Sequence, residues 1–140
     1  MSTVYGVNRT KYMNAIGANL VSSGTNKGQV CSMSDTYEAS ALSDGDLIQV
    51  CDALPVGAII TRVMIMSDDM GSTVTLALGD ADDDNRYITA TSVSAANDIL
   101  AINVITGVGY EVTGTEDTQL AILGAGILGG TIKITVEYTV

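Results

Sequence analysis

From Tyr37 onward the chain consists of short β-branched segments separated by turn residues, and this constrains its fold more than any other feature. The segments are YEASAL, LIQVCD, AIITRVMIMS, TVTLALG, RYITATS, YEVTG, TQLAILG and TIKITVEYT. The separators SDGD, LPVG, SDDMGS, DADDDN and TGTED supply the Asp, Gly, Ser and Pro that tight turns need. In TIKITVEYTV, Ile132, Ile134, Val136 and Tyr138 share one face and Lys133, Thr135, Glu137 and Thr139 the other, the alternation of a half-buried strand. Val74, Leu76 and Leu78 share a face in the same way. About eight strands in about one hundred residues predict an all-β fold, a jelly-roll-like two-sheet sandwich. Residues 92–106, SVSAANDILAINVIT, read either as a loop with a short helix or as a ninth strand.

Charge divides the chain. Residues 1–34 hold Arg9, Lys11 and Lys27 and no Asp or Glu, a balance of +3, whereas residues 35–140 hold the other three basic residues and all 16 acidic ones, a balance of −13. The predicted organisation is a basic N-terminal arm over 1–34 and an acidic β-sandwich body over 35–140. The arm, rich in Asn, Ser, Thr and Gly, shows no sustained period of about 3.6 or 2 residues. It reads as an extended segment that gains order from a partner, or else as a strand and loops packed on its own domain.

Composition narrows the function. The net charge of −10 argues against nucleic acid as the main ligand, because phosphate contacts need a basic patch. No apolar run approaches the roughly 20 residues that cross a bilayer, and the N-terminus lacks the layout of a signal peptide. The expectation is a soluble chain with no membrane partner. Histidine is absent, which removes the commonest general base and metal ligand, and with it any ordinary Ser-His-Asp triad. Cys31 and Cys51 are isolated thiols, read as small buried hydrophobes in a reducing compartment, with a disulfide between them the alternative.

Three motifs suggest chemistry. Gly124, Gly126 and Gly129 spell G-x-G-x-x-G, but a strand-like segment follows where a phosphate-binding helix would have to begin. The glycines therefore read as part of a long hairpin. Asp80, Asp82 and Asp84 alternate as at the start of an EF-hand loop, yet Asn85 stands where that loop needs Gly, and Thr91 where it needs Glu. A weak calcium site at 80–85 is one reading; a solvated hairpin tip is the preferred one, so no cofactor is expected. Asp68 and Asp69 are adjacent, so on a strand their carboxylates diverge and make a poor pair for glycoside hydrolysis. The sum is a non-enzyme.

The segments VYGVNRTK, LIQVCDALPVGAIITRVMIMSDD, TLALGDADDDNRYITATS and TIKITVEYTV resemble small structural proteins of tailed bacteriophages, the decoration or cement proteins that bind the outside of the capsid. The resemblance lies in segment style and order over most of the chain. It implies a jelly-roll body, a homo-oligomer (trimer or dimer), the major capsid protein as partner, synthesis in the bacterial host cytoplasm and residence on the capsid exterior. It also implies a terminal arm that grips the shell. On that reading Tyr5, Arg9, Lys11, Tyr12 and Lys27 form the capsid-binding set, the cations pairing with carboxylates and the tyrosines acting as apolar anchors with a polar tip. Ordinary packing under the body's own sheet is the other reading of Tyr5 and Tyr12. The alternative functions are a carbohydrate-binding jelly-roll module, using the 80–85 loop with calcium, and a minor tail or head-fibre component.

Overall fold

In the computed structural model, the described residues are 28–71, 73–94, 96–114, 116–124 and 127–140. They form eight strands: β1 (Val30–Leu42), β2 (Leu47–Leu54), β3 (Ile59–Ser67), β4 (Val74–Gly79), β5 (Ile88–Ser92), β6 (Asp98–Ala101), β7 (Glu116–Gly124) and β8 (Ile127–Thr139). The strands lie in two antiparallel sheets, ordered β1-β8-β3-β6 and β2-β7-β4-β5.

This order has a simple origin. β1 pairs with β8, β2 with β7, β3 with β6 and β4 with β5, and in every one of these ladders the midpoint between paired residues falls in the loop between β4 and β5. Val30 faces Thr139, Leu47 faces Ala121, Met64 faces Ala101 and Thr75 faces Ser92. The chain from Val30 to Thr139 is thus one long hairpin, folded over at residues 80–87 and then rolled so that successive rungs fall in alternate sheets. Rolling brings β8 beside β3 and β7 beside β4, which completes both sheets. That arrangement is the jelly roll.

The alternating faces predicted from sequence make the core. Val63 and Ile65 of β3 and Ile132, Ile134 and Val136 of β8 are buried from one sheet, and Val74, Leu76 and Leu78 of β4 from the other. Tyr87 is fully buried with them. Thr139, expected on the outer face, is buried where its register partners Val30 and Ile59 flank it.

Three details differ from the sequence reading. The strand count is kept by an exchange: YEVTG makes only an isolated bridge, Ile59 to Glu111, while the ambiguous 92–106 stretch supplies β6. The glycine-rich segment is not a hairpin, because β7 and β8 belong to different sheets and the chain crosses between them after Gly124. Residues 30–34, counted with the arm on charge, are the first part of β1 and pair with β8.

Candidate functional site

Because strands alternate in direction, the rolled hairpin gathers four features at one end of the sandwich. These are the start of β1 with the end of β8, the β2–β3 loop (55–58), the β4–β5 loop (80–87) and the β6–β7 connection (102–115). Hydrogen bonds tie them together. Val140 N donates to Gln29 O (3.4 Å), Gly57 N to Val112 O (2.7 Å), Val112 N to Ala58 O (2.8 Å), Gly109 N to Ile60 O (2.8 Å) and Asn103 N to Tyr87 O (3.0 Å).

Asp80 organises this end. It is 1 % exposed. Its Oδ1 accepts from the backbone N–H of Asp82 (3.1 Å) and Asp83 (3.0 Å) and from Arg86 Nη2 (3.2 Å), while Oδ2 accepts from Arg86 Nε and from the Tyr87 hydroxyl (3.3 Å). A buried carboxylate is tolerable only when paired and hydrogen-bonded in this manner. The Asp80 hydrogen bond holds the Arg86 guanidinium above its ordinary pKa. Arg86 in turn lies over the Tyr110 ring, 4.1 Å from its centre, and Tyr110 meets Tyr87 edge-on at 6.4 Å.

The β4–β5 loop therefore differs from a simple solvated tip. Asp82 and Asp84 are exposed, but Asp80 points inward onto Arg86. Among the described residues no three acidic or thiol side chains come together as metal ligands. Asp68 and Asp69 follow the end of β3 and do not lie on a strand, and they take different partners: Asp68 Oδ2 accepts from Thr131 N (2.8 Å) and Asp69 Oδ1 from Gly71 N (2.9 Å). Cys31 and Cys51 are half-buried and not joined by a disulfide. Tyr5, Arg9, Lys11, Tyr12, Lys27 and the rest of 1–27 lie outside the described residues, as does Gly126 of the glycine motif.

Sequence reasoning missed the apolar surface at this end. Ile105 is 88 % exposed, Val56 66 % and Val108 53 %, and Val30 and Val140 are exposed beside them. No periodicity marks these positions, since all but Val30 lie outside the strands. A second surface lies on the outer face of the β1-β8-β3-β6 sheet, an open groove of about 500 Å³ lined by Thr36, Glu38, Met66, Asp68, Thr131 and Lys133 among others.

The strand order defines a jelly-roll protein whose loop end carries exposed apolar side chains. The same fold occurs in solved capsids. The chain is similar to a chain of the cyanophage Pam1 capsid asymmetric unit, with 27% sequence identity and a TM-score of 0.71 over 86% of this chain and 92% of that one. It is also similar in fold to chains of the Ralstonia phage GP4 capsid (17% identity, TM-score 0.61, 81% and 84% covered) and of the acid-stable capsid of Helicobacter pylori bacteriophage KHP30 (16% identity, TM-score 0.55, 80% and 94% covered). No family model and no curated protein matches the chain.

Proposed function

We propose that this protein is a non-enzymatic structural component of a phage virion, bound to the outside of the capsid as a dimer or trimer and reinforcing the lattice of the major capsid protein. The single observation that carries the virion role is the likeness, over 86% of this chain, to a chain of a phage capsid asymmetric unit. The split of charge supports the mode of attachment: Arg9, Lys11 and Lys27 all precede β1, and a basic segment ahead of an acidic body suits a tether that pairs with carboxylates of the shell. Weak contacts repeated across an oligomer combine into firm attachment.

Quantifying the protein in purified virions tests the reading. The expected result is a copy number in fixed proportion to the major capsid protein. A handful of copies per particle points to a tail or fibre component instead.

A further inference from the structure

We infer that the loop end bearing Val56, Ile105 and Val108 is the foot of the molecule, seated on an apolar depression of the shell flanked by basic side chains. This rests on the proposed shell-binding role and adds the face and the residues. Three observations carry it. The chain outside the described residues joins the body here, at the start of β1, beside Val140. A surface that grips the arm close to this junction also meets the loop end, and the two attachments then act as one bivalent contact.

Next, Ile105 is 88 % exposed and Val108 53 %, on a connection held in shape by the Arg86–Tyr110 stack and by Gly109 N donating to Ile60 O. Large apolar side chains on a rigid loop make effective anchors because little freedom remains to be lost on docking. Finally, Asp82 and Asp84 are exposed in the adjoining loop, a partly acidic rim that selects basic groups on the partner. The opposite end is rimmed by Asp44, Asp46, Asp68 and Asp69.

The test uses the full chain and virus particles stripped of this protein, with binding read by co-sedimentation and oligomeric state by sedimentation velocity. The Ile105→Asn/Val108→Asn variant should bind about ten-fold or more weakly with its oligomeric state unchanged. Leu47→Asn, at the far end, should bind like the wild type. Should the double variant fail to fold, Val56→Asn serves in its place with the same expectation. Wild-type binding by the loop-end variant overturns the inference alone. So does an altered oligomer that still binds the shell normally, because a second copy is then what covers the patch. If the wild type itself fails to bind stripped particles, the shell-binding role falls and the foot falls with it.

Discussion

The guanidinium carbon of Arg86 lies 4.1 Å from the centre of the Tyr110 ring, so the turn at the middle of the folded hairpin is clamped to the β6–β7 connection. One end of that clamp is the buried carboxylate of Asp80. Arg86→Met leaves Asp80 with only its two backbone donors and the Tyr87 hydroxyl, and should cost about 3–5 kcal/mol in urea denaturation. Adding Asp80→Asn should cost less than the sum of the single changes, because the two groups act on one another.

The pH dependence follows from the same pair. Asp80 raises the Arg86 pKa, so what Arg86 contributes is complete below the ordinary arginine range and is lost only as pH rises through the raised, strongly alkaline value. The stability difference between wild type and Arg86→Met should therefore stay constant from neutral pH to about pH 10. Denaturation series across that interval check it.

Gly79 is where the turn closes most tightly. A Cβ there would stand 1.9 Å from the Asp83 carbonyl oxygen and 2.4 Å from the Asp84 carbonyl carbon, both backbone atoms. Gly79→Ala should cost about 3 kcal/mol or more. Gly114→Ala meets nothing within 4 Å and should stay within about 0.5 kcal/mol of wild type. Equal melting temperatures for the two variants would contradict this.

Cys51 joins the two sheets. Its backbone takes a φ of 59° at the irregularity in the β2–β7 ladder, and its N–H donates to Asp35 Oδ2 of β1 at 2.9 Å. An L-residue pays for that conformation, so Cys51→Gly should be more stable than Cys51→Ala by about 1 kcal/mol. Asp35→Ala should lose about 1–2 kcal/mol, since Asp35 also accepts from Thr36 N.

Ser67 is 4 % exposed, and its hydroxyl has no hydrogen-bond partner among the described residues. Ser67→Ala removes a stranded polar group at almost no change in volume. It should raise stability by about 1 kcal/mol, read as a shift of the denaturation midpoint at unchanged slope.

Alternation made β4 and β8 legible from sequence, since Leu76, Leu78, Ile132 and Ile134 obey the two-residue period on which strand reading depends. The exchange of YEVTG for Asp98–Ala101 shows the limit of that reading. Both stretches carry strand-forming residues, and the choice is made by whether β3 has a free edge to pair with, a relationship between distant segments. The crossing after Gly124 is illegible for the same reason: adjacency in sequence says nothing about which sheet each strand joins. Asp80 looked like one of several equivalent carboxylates in DADDDN. Its separate role depends on Arg86 and Tyr87 folding back over it, and on Tyr110 arriving from another loop. Ile105 and Val108 carried no periodic signal, because a loop imposes none.

On the proposed function, the basic arm tethers the acidic sandwich to a capsid shell. Deleting residues 1–28 and measuring co-sedimentation with virus particles stripped of this protein tests it most directly. The truncated protein should melt at the wild-type temperature and no longer sediment with the particles. A truncated protein that binds as well as the full chain would contradict it.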